Sequence, residues 1–408
     1  MPARAGDPMS TVALSAPPLR IYLLLCGSLG AQALGQSAMF AVLPSIGRVV
    51  GLKEIQIGAI IAASSIVFFL ASPAWGRASD RFGRRQVFIT GQVGYTIGGA
   101  LFAASFWFAL AGWLTPMFAW LAMIAARMLQ AVVMSASAPA AAAYVADITA
   151  PGERARGLAR IAAAGNLGSI AGPAVGGALA GASLLLPFVF AVVCVGCAAL
   201  LSWCFLPATP RRSVRGAGRR VALSDPRVRR WIVPGITLYM GVAVVQQTLS
   251  FRMQDVLALT PAAAAAAFGW TMIAAAVAGL FAQIVLVQHF ALRPATWLLL
   301  GLPLMAVALT GMAAYATFTA FVVANVLMGL GMGVAGAGFS AGASLAVDNE
   351  EQGAIAGISA SCSAAGWIVG PLLGPGLYQL APWLPFAVAA VLVAAVACYA
   401  WHGARASG

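Results

Sequence analysis

Charge is scarce in this chain. Only 8% of its 408 residues are Asp, Glu, Lys or Arg, while 62% are hydrophobic. A soluble domain carries roughly 25% charged residues to keep its surface wet, so a water-soluble globular fold is excluded. Lysine is almost missing: of 23 basic residues only Lys53 is not arginine. It sits in Gly51-Leu52-Lys53-Glu54, which excludes a Walker A loop, because that loop needs a lysine after a Gly-rich turn. Histidine is limited to His289 and His402. The six cysteines (Cys26, Cys194, Cys197, Cys204, Cys362 and Cys398) all fall inside apolar runs, and the C-x-x-C of Cys194 and Cys197 has no second pair. They read as small packing residues, so no metal and no cofactor is expected. Acids are few as well, ten in all, and none stands in the middle of an apolar run.

Long apolar runs fill the space that charge leaves. In hydrocarbon every backbone N–H and C=O must be satisfied within the chain, so the options are helices or a closed barrel. The runs last about 20 residues or more, the span of a helix, not the roughly ten alternating residues of a barrel strand. Segments 184–206 and 295–347 contain no charge at all. Twelve spans are expected, at 20–44, 55–75, 86–110, 116–145, 154–182, 184–206, 231–253, 261–289, 294–315, 317–347, 353–380 and 383–401. The run after the polar, Pro-containing start is too long for a signal peptide and is followed by further spans, so it counts as the first helix.

Arginine placement orients the chain. The net charge of +13 lies in short gaps between spans, without a nucleic-acid-binding module around it, and no nucleic-acid partner is expected. Arg77, Arg81, Arg84, Arg85, Arg154, Arg156, Arg160 and Arg293 fall on the same side as the Arg-rich gap between spans six and seven, while only Arg48, Lys53 and Arg252 fall on the other. Positive charge marks cytoplasmic loops, so both termini are expected in the cytoplasm of a multi-pass membrane protein, with a bacterial inner membrane as the setting. The expected organisation is a tail over 1–19, a six-helix half over 20–206, an Arg-rich linker over 207–230, a second half over 231–402 and a tail over 403–408. The halves repeat one pattern. Gly168-Ser-Ile-Ala-Gly172-Pro173-Ala-Val-Gly176-Gly177 and Gly366-Trp-Ile-Val-Gly370-Pro371-Leu-Leu-Gly374-Pro375 both read G-x-x-x-G-P-x-x-G, in the fifth span of each half. Glycines one turn apart allow close helix contact, and a proline inside a helix bends it. These stripes are expected to form part of a seal between the halves, against the plainer reading of small-residue packing.

The most specific motif is Gly76-Arg77-Ala78-Ser79-Asp80-Arg81-Phe82-Gly83-Arg84-Arg85, between spans two and three. It resembles the major facilitator signature G-x-L-a-D-r-x-G-r-[RK] and departs from it at Ala78. Asp147, followed by Glu153-Arg154-Ala155-Arg156-Gly157, is similar to the family's pattern after helix four. The corresponding loop of the second half, 288–294, has lost the signature, with Phe290 standing roughly where Asp80 does. The resemblance covers essentially the whole chain and implies an all-α fold of twelve transmembrane helices in two pseudo-symmetric halves. It also implies a gating latch of Gly76, Asp80, Arg81, Gly83, Arg84, Arg85 and Asp147, with Gly76 permitting close helix approach and Gly83 a tight turn. A topogenic basic loop without a latch is the alternative.

Two further motifs resemble the drug/proton antiporter branch. Arg127-Met128-Leu129-Gln130-Ala131 is similar to the R-x-x-Q-G element of proton-coupled members, with Ala131 in place of glycine, and the segment-five G-x-x-x-G-P-x-x-G-G is similar to an element of exporters. An arginine inside the membrane is costly and marks function by default; a structural arginine satisfied by carbonyls is the alternative. The first helix offers Gln32, Gln36 and Ser37 where many proton-coupled relatives have a carboxylate. Asp255 and Asp147 remain as candidate proton carriers. Family habit lines the path with helices one, four, seven and ten, which places Gln36, Arg127, Gln130, Gln246, Gln247 and Asn325 on it as coupling or substrate residues. Met134, Phe251 and Trp270 would add apolar contact. Without a membrane carboxylate, neutral, anionic or zwitterionic cargo is favoured over simple cations.

Enzyme-like strings do not survive their context. Gly331-Met-Gly333-Val-Ala-Gly336 and Gly338-Phe-Ser340-Ala-Gly342 lie in one apolar helix, with no strand before the first and no triad around the second. The expected function is secondary active export of small amphipathic organic molecules (a drug-like compound, a secreted metabolite or a siderophore) by proton exchange and alternating access, by a monomer in the bilayer. Import or facilitated passage of a small metabolite is the alternative, and a non-transporting membrane sensor would not need paired gates.

Overall fold

The computed structural model describes residues 19–208, 222, 224–290, 292–348 and 351–406. The expected tail 1–19 and the central linker therefore lie largely outside the described residues, including Arg211, Arg212, Arg215, Arg219 and Arg220. The described chain is a bundle of helices: α1 (Leu19–Val49), α2 (Glu54–Phe82), α3 (Arg84–Leu110), α4 (Pro116–Met134), α5 (Ser137–Ile148), α6 (Arg154–Ala180) and α7 (Leu186–Phe205). The second half follows with α8 (Pro226–Val256), α9 (Pro261–Phe281), α10 (Val287–His289), α11 (Pro294–Ala314), α12 (Phe318–Leu345), α13 (Gln352–Tyr378) and α14 (Leu384–Ala406). A π turn, Ala282–Leu286, joins α9 to α10.

Among the described residues, eleven helical segments are long and apolar enough to cross a membrane. α6 makes the twelfth: three arginines at its start and the run of Gly, Ala, Ser and Asn after them lower its hydropathy, yet its 27 residues are long enough to span. The fourth span, expected as one run, breaks at Ser135 and Ala136 into α4 and α5. Pro139 accounts for the break, because it lacks an N–H and its ring would strike the carbonyl of Ser135. α1 continues through Pro44 to Val49, beyond its expected end. Pro116, Pro226, Pro261 and Pro294 each open a helix, where the missing N–H costs nothing. Thr260 and Thr317 cap α9 and α12 by accepting the amide N–H of Ala263 and Ala320. Large apolar side chains such as Trp203, Trp270, Ile284 and Leu345 stand more than half exposed around the outside, where only a bilayer could cover them.

The packing repeats between the halves. α1 lies against α6 as α8 lies against α13; α3 against α4 as α11 against α12; α2 against α4 as α9 against α12. The halves meet through α6 on α9 and α2 on α13, a second symmetric pair, with α1 touching α8 and α9.

Candidate functional site

Between the halves lies a cavity of about 750 Å³. Its wall comes from the middle of α1 and α2, from α4 and α5 on either side of the break, from the first half of α6, and from α8 and α13. It therefore runs from the centre towards the end of the bundle that carries the arginine loop between α2 and α3. Glycines mark the open and closed ends. A Cβ placed on Gly165, Gly353 or Gly357, near that arginine-rich end, meets nothing within 4 Å. At the opposite end a Cβ on Gly269 would lie 2.6 Å from the Pro173 carbonyl oxygen. One on Gly177 would lie 2.9 Å from that of Ala265, and one on Gly58 would strike the Pro371 carbonyl and lie 2.9 Å from Pro375. There the two halves are in backbone contact.

Polar groups complete the closed end. Arg48, at the end of α1, donates to Glu54 (3.0 and 2.8 Å) and through both terminal nitrogens to Asp255 on α8 (2.6 and 2.9 Å). Tyr378 of α13 donates its hydroxyl to the same carboxylate at 2.6 Å. The Arg48 guanidinium lies over the Phe251 ring at 4.6 Å. Ser45 joins Ser250 at 3.2 Å and accepts from Gln254 at 3.1 Å. A carboxylate holding a planar bidentate arginine and a phenol ties α1, α2, α8 and α13 at one point.

Among the described residues, Arg127 is the only charged side chain in the cavity wall. It is 1% exposed. Nη1 donates to Gln130 Oε1, and Gln130 Nε2 in turn donates to the Tyr95 carbonyl at 3.0 Å, so the Arg127–Gln130 motif folds back on α3. Arg127 Nε has no partner. The guanidinium lies 5.3 Å from the Phe40 ring centre and 5.9 Å from that of Phe102. Phe40 stacks on Trp367 of α13, with ring centres 6.1 Å apart, across the boundary between halves. Gln36 and Gln246 also line the cavity, and Gln36 Oε1 is unpartnered.

Other expected path residues lie elsewhere. Gln247 and Asn325 are buried in helix packing and do not line the cavity; Asn325 donates to the Phe321 carbonyl at 3.0 Å. Phe251 belongs to the closed end, and Trp270 is 66% exposed on the outer surface. One-residue steps turn a helix by about 100°, so neighbouring Gln246 and Gln247 face different surroundings. Met134 does line the cavity, and so do Trp367, Phe40 and Phe68, which were not singled out from the sequence. A signal for Trp367 was present in its place inside the second glycine repeat.

At the arginine-rich end, Arg84 sits among three acceptors: Asp147 Oδ2 at 3.1 Å from Nε, Ser79 Oγ at 2.8 Å from Nη1, and Asp80. Arg84 and Asp147 are buried, whereas the Asp80 side chain is 66% exposed. Arg81 lies over the Phe82 ring and Arg85 donates to the Trp203 carbonyl, so neither joins the cluster. Gly83 holds φ +101°, a conformation open to glycine, where α2 turns into α3. Gly76 corrects the sequence reading: a Cβ there meets nothing within 4 Å, so close helix approach is not its role. In the second half Asp225 caps α8 and binds Arg227, which also reaches Glu351 at the start of α13. Arg227 holds the Asp225 carboxyl below its ordinary value through side-chain and backbone hydrogen bonds.

The glycine stripes also need correction. Gly168, Gly172 and Gly176 pack on Gly30, Leu34 and Ala38 of α1, and Gly366, Gly370 and Gly374 on Tyr239, Ala243 and Thr248 of α8. Both contacts lie within a half. The faces turned across the boundary carry Pro173, Gly177, Pro371 and Pro375 instead. Both helices run unbroken through their prolines.

The family profile described as Major Facilitator Superfamily matches residues 25–289 and 235–406. The chain belongs to that superfamily. Over 87% of its length, and 89% of the relative's, this facilitator is 30% identical to the class C tetracycline resistance protein of Escherichia coli. It is 31% identical to Multidrug resistance protein 2 of Bacillus subtilis, over 42% of this chain and 40% of that one. A solved bacterial homologue of the human lysosomal transporter Spinster, inward-facing and occupied, superposes with a TM-score of 0.72 at 14% identity, covering 96% of this chain and 98% of that one. That likeness is one of fold. The protein is thus a multi-pass membrane transporter with relatives among drug-resistance proteins, resembling the drug/proton antiporter branch.

Proposed function

We propose that this facilitator exports small amphipathic organic molecules from the cytoplasm by alternating access, in exchange for protons. The observation that carries the reading is the one-ended cavity: about 750 Å³ of mostly apolar space reaching the arginine-rich end, with backbone contact and the Arg48–Asp255 pair closing the other. Positive charge favours the cytoplasmic side, which makes this an inward-facing state ready to load. The resistance functions named for the class C tetracycline and B. subtilis relatives support export as the direction. A drug-like compound, a secreted metabolite or a siderophore fits the size and character of the space. Neither Asp147 nor Asp255 lines the cavity; each holds an arginine at one end of the bundle, where proton binding would loosen a gate and not touch cargo directly.

The test uses inside-out membrane vesicles with an acid lumen and a panel of fluorescent amphipaths. The expected result is accumulation that a protonophore abolishes. Accumulation only in right-side-out vesicles would favour import, and accumulation untouched by a protonophore would remove proton exchange.

A further inference from the structure

Arg127 is a buried cation with no counter-ion among the described residues. Ion pairs form elsewhere: Arg48 has Glu54 and Asp255, Arg84 has Asp80 and Asp147, Arg156 has Glu153, and Arg227 has Asp225 and Glu351, while Arg252, also buried, rests on the Ala313 and Tyr315 carbonyls. Among the described residues no carboxylate comes within 4 Å of Arg127, and its protein hydrogen bonding is a single donation to Gln130. Four of the five N–H donors of the planar fork are thus left free, and Nε is buried without an acceptor. Removing a charge from water is tolerated only when it is paired, and ring faces supply only part of that compensation. The guanidinium stands in the cavity wall, so an anion arriving there would complete it.

Around it the wall is apolar and aromatic. Phe40 lies against the guanidinium on one side and stacks on Trp367 on the other, giving a flat surface that continues from the charge across the boundary between halves. Gln36 adds an unpartnered amide oxygen, an acceptor for a donor on the ligand. With no carboxylate lining the cavity, an ammonium group would meet an uncompensated positive charge and find no anionic partner.

We infer that the cargo class is the acidic amphipath: an organic acid whose single negative group seats bidentately on Arg127, with an aromatic or other flat body along Phe40 and Trp367. This rests on the export reading above and narrows it to one ligand chemistry. It also places the same charge on the driving force, since an inside-negative membrane expels a monoanion by roughly fifty-fold per 100 mV.

Equilibrium binding to purified full-length protein tests the inference without reference to transport direction. The probes share one scaffold in three charge states: 2-naphthoate, 2-naphthamide and 2-naphthylmethylamine. The acid should bind about ten-fold or more tightly than the amide, the size of one charge-assisted bidentate contact, and the amine most weakly. Arg127→Gln should bring acid and amide to equal affinity while amide binding persists, which also reports that the variant is folded. Arg127→Lys should keep only part of the preference, because the ammonium retains charge and loses the fork. The inference is overturned if the amine binds as well as the acid, if the preference survives Arg127→Gln, or if none of the three binds at millimolar concentration. Failure of export in vesicles with the acid preference intact would instead count against the direction of transport alone.

Discussion

Arg84 divides itself between two carboxylates that stand in different surroundings. Asp147 is buried with it, while Asp80 is mostly in solvent. An exposed pair contributes about 0–1 kcal/mol, whereas removing one partner of a buried pair costs about 3–5 kcal/mol because a charge is stranded. Asp147→Asn should therefore lower the abundance or melting temperature of the purified protein markedly. Asp80→Asn should leave both close to wild type, and any transport defect it causes would then reflect gating. Equal melting temperatures for the two variants would show that burial does not separate their roles. The motif placed Asp80 and Arg84 together, because a fixed spacing across a tight turn limits where the side chains can go, while Asp147 was implied only by the resemblance to the family pattern, and the structure brings it to Arg84. The motif could not say that Arg81 and Arg85 point to Phe82 and the Trp203 carbonyl, since the facing of successive residues depends on the neighbours α2 and α3 meet.

Helices with small-residue stripes were legible as close-packing elements, but their partners were not. A sequence shows that Gly168, Gly172 and Gly176 share a face; only the assembled bundle shows that this face meets α1 of the same half. A Cβ at Gly172 would lie 2.6 Å from the Leu34 carbonyl oxygen and 2.8 Å from the Ala38 amide nitrogen, both backbone atoms that cannot rotate away. Gly172→Val should cost about 1–3 kcal/mol by overpacking, read as a loss of monodisperse protein in detergent and a lower melting temperature. Gly76→Ala is the contrast, because its added methyl meets nothing within 4 Å and alanine is the better helix former by about 1 kcal/mol. Thermal stability of Gly76→Ala at or above wild type is the expected outcome; a loss would point to a contact that the present packing does not contain. The same dependence on neighbours explains why, among the described residues, α6 is less apolar than the other eleven spans: its small residues serve contact with α1.

Alternation between two states requires that whatever holds one end shut be weak enough to release. At the closed end the halves are joined by the Asp255 carboxylate, which takes two hydrogen bonds from Arg48 and one from Tyr378. The twelve-helix layout and its internal repeat were readable from the chain, yet this junction was not, because Arg48, Asp255 and Tyr378 are far apart in sequence and belong to no shared motif. The pair is partly solvated, with side-chain exposures of 20% and 39%, so its strength is discounted from that of a buried pair to about 1–2 kcal/mol. An energy of that size shifts a two-state equilibrium by roughly ten-fold. Asp255→Asn should accordingly raise the outward-open fraction, seen as a longer distance between spin labels placed on the outer ends of α2 and α13, where Gly58 and Pro371 now touch. Arg48→Gln should lengthen the same distance, and the double variant should add little to either single one, because both remove one shared interaction. Additive shifts in the double variant would mean that the two residues hold the gate through separate contacts. An unchanged distance in all three variants would leave the closure to the backbone contacts of α2 with α13 and α6 with α9 alone.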